Sequence, residues 1–306
     1  MSAQDQLYTN PTTGLIHSYG GDEANCTISV CPVELSIYGY RPSLPFSAVL
    51  IALYSLAIIA QGYLGIKYKK WGFMVSMMLG CTAEIIGYVG RMLYNQNPWG
   101  DIGFLIQIIL ITIGPVFFAA AIYVLLYQIV CYIDRSASRV NPKFFYWVFI
   151  PADIISLILQ AAGGAMSASA EDGSDSGVDI ALAGLILQVV TLTFFSVCVL
   201  DYMWCSRSTW KSTKLPKPFI SFAAFLALAT VLIQIRCVYR VYELSEGYSR
   251  DSEALRDEAM FNGLEGVMII LAALCLIPAH PGFVFKNNET LKRDSQVEEP
   301  KLVQEA

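Results

Sequence analysis

Charge is scarce in this chain and histidine nearly absent: 15% of its 306 residues are Asp, Glu, Lys or Arg, and His17 and His280 are the two histidines. Twenty basic residues against 25 acidic ones give a formal net charge of -5. That balance removes the basic footprint of a nucleic-acid binder. Two histidines leave little from which to build a histidine-rich zinc centre. An embedded metal-dependent lipid hydrolase is therefore disfavoured, and no G-x-S-x-G nucleophile elbow is present to suggest a serine enzyme. There is no G-x-x-x-x-G-K-[ST] phosphate loop, so the chain does not itself resemble an ATP-driven pump. Residues Met1 to Pro42 are polar and lack a basic segment followed by a short apolar core, so no cleavable signal peptide is expected.

What the chain has in abundance is apolar surface. It is 55% hydrophobic with 12% aromatic residues and a mean hydropathy of +0.52, more than a soluble domain hides. Long apolar runs extend from Leu44 to Ile66, Trp71 to Leu93, Ile102 to Cys131, Phe144 to Met166, Ile180 to Trp204, Phe219 to Tyr242 and Met260 to Ala279. A helix needs about 20 such residues to cross roughly 30 Å of hydrocarbon. Lipid offers the backbone no hydrogen-bond partner and the alternation of barrel strands is missing, so all seven runs are predicted to be helices. The expectation is an all-α, polytopic membrane protein: an exterior tail over 1–43, a seven-helix bundle over 44–282, and a disordered cytosolic tail over 283–306.

Orientation follows from the basic residues in short loops. Fourteen of the 20 lysines and arginines lie beside one end of the spans: Lys67, Lys69 and Lys70, then Arg135 to Lys143, then Arg207 to Lys217, then the C-terminal tail. The expectation is an exterior N-terminus and a cytosolic C-terminus, in the plasma membrane or an endomembrane. Two features of the tail fit an oxidising, exterior compartment: Asn25-Cys26-Thr27 is a glycosylation sequon, and Cys26 and Cys31 are spaced for a small disulfide loop. Between the fourth and fifth runs, Ser167 to Val178 reads as a flexible acidic loop, and Glu243 to Glu258 as an acidic segment containing a short helix.

The chemistry lies in the charges inside the runs. An ionised group at the centre of a membrane helix costs about 2.5–3.5 kcal/mol on insertion scales, so it is retained where it faces protein or water. Glu84 and Arg91 are seven apart, nearly two turns, and share one face of the second helix. Asp153, Ser156, Gln160 and Gly163 stripe the fourth; Arg236, Arg240 and Glu243 the sixth; Asn262 and Glu265 the seventh. At about 1.5 Å per residue, Asp153 falls near mid-membrane and the others in the outer half. Three acids (Glu84, Asp153, Glu265) then face three arginines (Arg91, Arg236, Arg240). Such groups either staple helices together or form a polar site, and Glu84, Arg91, Asp153, Gln160, Arg236, Arg240, Asn262 and Glu265 are the candidate substrate-binding residues. Pro115 and Pro151 are expected to kink their helices.

These residues resemble the fungal lipid-translocating exporters, the family named for resistance to aminocholesterol. The likeness is carried by Tyr40-Arg41-Pro42-Ser43, by Glu84, Gly87, Tyr88 and Arg91, by Asp153, Ser156, Gln160, Gly163 and Gly164, by Arg236, Arg240, Glu243 and Gly247, and by Glu258, Glu265, Met268 and His280-Pro281-Gly282. Asn262 and Glu265 depart from the tyrosine and aspartate that the family often carries. The resemblance implies transport of amphipathic cargo: sphingoid long-chain bases, phospholipids or porphyrins. It implies no cofactor, and a fungal plasma membrane. A seven-helix lipid sensor or receptor shares the same helix count and orientation and stands as the alternative.

Overall fold

The computed structural model describes residues 7–11, 14–18, 26–133, 144–169, 176–205, 217–246 and 253–284. Asn25, the acidic stretch 170–175 and the tail beyond 284 lie outside the described residues. Among the described residues, seven helices are long and apolar enough to cross a membrane. They are α1 (Leu44–Tyr68), α2 (Trp71–Gln96), α3 (Asp101–Ile133), α4 (Phe149–Ser169, preceded by a separate turn at Phe144–Trp147), α5 (Ser176–Cys205), α6 (Lys217–Ser245) and a compound seventh helix. The seventh starts as Glu258–Met260, widens into a π-helix over Phe261–Val267, and resumes over Met268–Cys275. Among the described residues, one short antiparallel hairpin pairs β1 (Leu7–Thr9) with β2 (Ile16–Ser18).

Local chemistry sets the ends. Ser43 caps α1 by accepting from the Phe46 N–H at 3.4 Å, with Pro45 in the first turn where a missing N–H costs nothing. Lys69 closes α1 in the left-handed conformation (φ 55°), turning the chain directly into α2. The fourth run is broken at Val148, and Pro151 therefore sits in the first turn of α4 instead of kinking its middle. The expected 167–178 loop is shorter than its composition suggests: Ser167–Ser169 and Ser176–Val178 are helical, because the Ser167 hydroxyl bonds back to the Gly163 carbonyl at 3.0 Å and Gly177 lies against that same turn. The seventh helix ends at Cys275, short of the predicted Ala279. The Leu276 carbonyl released there accepts from Gln61 Nε2 at 3.0 Å.

Outward faces are apolar: Leu56, Ile59, Val75, Ile158, Val190, Val197, Val231 and Val238 are all exposed, as expected of side chains that meet acyl tails. Inside, α3 runs through the core, with Ile111, Phe118, Ala119, Ile122 and Tyr123 buried against neighbouring helices. Close approach depends on glycine. A Cβ on Gly87 or Gly90 of α2 would strike Ile111 or Ile106 of α3, and one on Gly163 of α4 would strike the backbone of Ala181 and Gly177 on α5. Gly164, by contrast, faces open space. Small residues are what lets membrane helices pack where no hydrophobic force between them exists.

Above the bundle, residues 33–43 form a strap. Cys26 and Cys31 are disulfide-bonded and pack on Trp99, which is buried there. Arg41 reaches the Asn95 carbonyl (3.2 Å) and its side-chain oxygen (3.1 Å), and Asn95 returns a bond to the Pro42 carbonyl at 2.7 Å. The Ser43 N–H donates to Glu258 Oε1 at 2.6 Å. The strap is thus tied to α2 and to the start of the seventh helix.

Candidate functional site

The polar centre of the bundle is built on α6 and the π-helical turn. Arg236 donates from Nε (3.1 Å) and Nη2 (2.6 Å) to Glu265 Oε1, and both side chains are wholly buried. Its Nη2 also donates to the Ile111 carbonyl on α3 at 2.9 Å. The reason that carbonyl is open lies four residues on: Pro115 has no N–H to offer it. A proline that sequence reasoning casts as a kink therefore supplies an acceptor to a buried arginine, within a helix that continues through it. One turn further along α6, Arg240 is paired with Glu243, its Nη2 lies 3.4 Å from Thr112 Oγ1, and its Nε is 3.9 Å from Glu265 Oε2.

Glu84 sits within electrostatic reach of Arg236 and Glu265. It is buried, accepts no hydrogen bond at Oε1, and presses on Gly114 of α3, where a Cβ would come within 2.5 Å of that oxygen. Two phenols on the same side of the bundle, Tyr54 of α1 and Tyr88 of α2, stack at 6.2 Å; both are buried and neither hydroxyl has a partner among the described residues. One carboxyl oxygen and two hydroxyls without partners among the described residues are uncommon in a protein interior, since buried polar groups are normally satisfied.

Arg91, seven residues above Glu84, has different surroundings. Its guanidinium lies 4.0 Å from the Phe261 ring and 5.9 Å from those of Tyr38 and Tyr40, and Nη2 donates to the Tyr40 hydroxyl at 3.1 Å. No carboxylate pairs with it among the described residues. Burial holds the Tyr40 phenol above its ordinary range in spite of that guanidinium, so its oxygen stays a neutral acceptor.

The remaining candidates lie apart. Asp153 of α4 accepts from the Tyr123 hydroxyl at 2.9 Å, with Oδ1 unpartnered. Gln160 bonds Gln188 of α5 at 3.2 Å and serves the α4–α5 hairpin. Asn262 is half-buried on the π-helical turn with Oδ1 unpartnered. The structure thus gathers Glu84, Arg236, Arg240 and Glu265, places Arg91 in an adjoining aromatic cage, and gives Asp153 and Gln160 their own partners.

Several contributors escape sequence reasoning. Tyr88 is four residues after Glu84 and so on its face, a signal that was present. Tyr54, Tyr123, Tyr38, Phe261 and Gln188 come from other elements, and no spacing in the sequence links them to the charges. His280 ends the bundle at its other side: it accepts from the Gly282 N–H at Nδ1 (3.0 Å), packs edge-on to Phe73, and burial together with nearby Lys70 lowers its pKa to about 4.

Comparison with known proteins agrees with this architecture. The family model described as RTA1 like protein matches residues 77–288. The sphingoid long-chain base transporter RSB1 of Saccharomyces cerevisiae is 27% identical over 294 residues, covering 83% of this chain and 76% of the relative. Protein RTM1 of the same organism is 30% identical, covering 70% and 71%. Protoporphyrin uptake protein 1 is 29% identical, covering 57% and 58%. No solved structure matches the chain. A model covering more than half the chain, running from α2 past the seventh helix, makes the conclusion plain: this chain belongs to the RTA1-like family of membrane proteins.

Proposed function

We propose that this protein moves amphipathic lipids across the plasma membrane, with sphingoid long-chain bases as the principal cargo, and that the N-terminus is exterior and the C-terminus cytosolic. The observation that carries the reading is Glu84: a buried carboxyl whose Oε1 has no hydrogen-bond partner among the described residues, beside two tyrosine hydroxyls likewise without one and an arginine–glutamate pair. A sphingoid base carries an ammonium and hydroxyls on a long tail. Its ammonium suits Glu84 and its hydroxyls suit Tyr54 and Tyr88, while the tail stays in hydrocarbon between helices. A charged donor meeting a carboxylate forms a bond roughly twice as strong as a neutral one, and the low dielectric strengthens it further. The name of the RSB1 relative supports an amine-bearing lipid, and that of the protoporphyrin uptake relative keeps porphyrins among the cargoes to assay.

The test is reconstitution into vesicles and a time course for labelled sphingoid base, phospholipid and porphyrin. Movement of the sphingoid base by the wild type, and its loss in Glu84→Gln and Tyr54→Phe/Tyr88→Phe, is the expected result. Wild-type rates in both variants would remove the site. Binding of the base with no movement of any cargo would instead favour a lipid sensor.

A further inference from the structure

The charges of the polar centre do not all find one another. Arg236 pairs with Glu265 and Arg240 with Glu243, while Arg91 is 1% exposed and has only the Tyr40 hydroxyl. Its Nε and Nη1 are buried donors without acceptors. An arginine cannot shed its proton to escape burial, and leaving charged donors unmade inside a protein is expensive. Three aromatic rings offset part of that cost through their faces, but rings do not accept the two open N–H groups.

The same rings continue into a gap. Tyr38 and Phe261, two walls of the Arg91 cage, also line a narrow crevice with Gln107 and Arg240, and Gln107 Oε1 is unpartnered while its Nε2 donates to the Tyr38 hydroxyl at 2.8 Å. As it stands the crevice is too constricted for a water molecule. Tyr38 and Tyr40 belong to the strap, which is held by separate hydrogen bonds and not by the covalent continuity of a helix.

We propose that Arg91 is the cation of an oxyanion-binding site roofed by Tyr38 and Tyr40, built to take a phosphate or carboxylate. The second hydrogen of Nη2, together with the open Nε or Nη1 donor beside it, forms a planar fork that matches such a group bidentately. The phenols of Tyr38 and Tyr40 supply donors once the strap closes over the ligand. The site adds to the proposed function and does not depend on it: Glu84 receives a cation, and Arg91, about 10 Å further along the same helix, receives an anion.

The experiment reads binding, not movement of lipid, so it succeeds or fails separately from the transport proposal. Purified protein in detergent micelles is titrated with inorganic phosphate, with a phosphorylated long-chain base, and with a long-chain fatty acid, following affinity by native mass spectrometry and thermal shift. At least one of these anions is expected to bind saturably, about tenfold more weakly in Arg91→Lys and undetectably in Arg91→Gln. Competition by inorganic phosphate identifies a free anion as sufficient; binding of the amphiphiles alone identifies a lipid-borne headgroup. If Arg91→Gln does not assemble, Arg91→Lys, which keeps the charge but loses the fork, carries the comparison. Failure of all three anions to bind the wild type, or equal affinity in Arg91→Lys, overturns the proposal.

Discussion

Removing the Arg236 guanidinium tests whether the central pair is an organised ionic contact. Arg236 makes two bonds to one oxygen of Glu265 and a third to the Ile111 carbonyl, and neither charged side chain meets solvent. Arg236→Met retains much of the volume while leaving Glu265 with only its 3.9 Å contact to Arg240. Breaking a buried pair by deleting one partner costs about 3–5 kcal/mol, mainly because the survivor is left uncompensated. Glu265→Leu strands Arg236 with only the Ile111 carbonyl and is expected to cost a similar amount. The double variant removes both charges, so its loss is expected to be well below the sum, since replacing a whole buried pair by apolar groups is often neutral. At roughly 2–4 °C per kcal/mol, each single variant melts about 6 °C or more below wild type in a fixed detergent, and the double variant recovers most of that. Arg240 Nε lies 3.9 Å from Glu265 Oε2, so Glu265→Leu also weakens that second arginine, which keeps Glu243. A double-mutant cycle with a coupling below about 0.5 kcal/mol would refute the reasoning. If the double variant melts like wild type and still moves sphingoid base at the wild-type rate, the pair is a structural staple and not part of a transport site.

Pro115→Ala restores a helical N–H that competes with Arg236 for the Ile111 carbonyl; transport is expected to fall several-fold while melting stays within about 2 °C of wild type, measured on the same vesicles and micelles. Gly163→Ala pushes a methyl into the backbone of α5 and is expected to cost about 1–3 kcal/mol by thermal shift, whereas Gly164→Ala, facing open space, leaves the melting temperature unchanged. Tyr123→Phe removes the hydroxyl that donates to the Asp153 carboxyl and is expected to destabilise by about 1–3 kcal/mol; Tyr123→Phe/Asp153→Asn should recover part of it. His280 is buried neutral with its pKa lowered to about 4, so the stability it contributes is fully present above the unfolded value near 6.5 and is lost as pH falls from there toward 4. The melting temperature should therefore decline across that window, less steeply in His280→Gln, and an identical pH profile in the two proteins would count against the assignment.

Seven apolar runs were enough to determine seven helices, because length and hydropathy are local properties and lipid allows a helix no other way to satisfy its backbone. Errors of a few residues at the ends arose where side chains settled the matter: Val148 breaks the fourth run, Ser167 extends α4, and Gln61 takes the carbonyl released at Leu276. The periodic charges were legible too. Glu84 and Arg91, or Arg236 and Arg240, share a face by arithmetic. Which of them meet is decided by tertiary structure alone: Arg236 finds Glu265 from another helix, Arg240 finds Glu243 on its own, and Arg91 finds rings. Three acids against three arginines suggested a balanced set, but counting carries no distances, and Asp153 turns to Tyr123 instead. Gly163 and Gly164 are adjacent letters with opposite roles for the same reason, since a helix rotates by about 100° between neighbours and only one of the two can point at α5. Composition and period are properties of one segment of chain; pairing, shielding and the space left between helices belong to several segments at once, and packing alone brings those together.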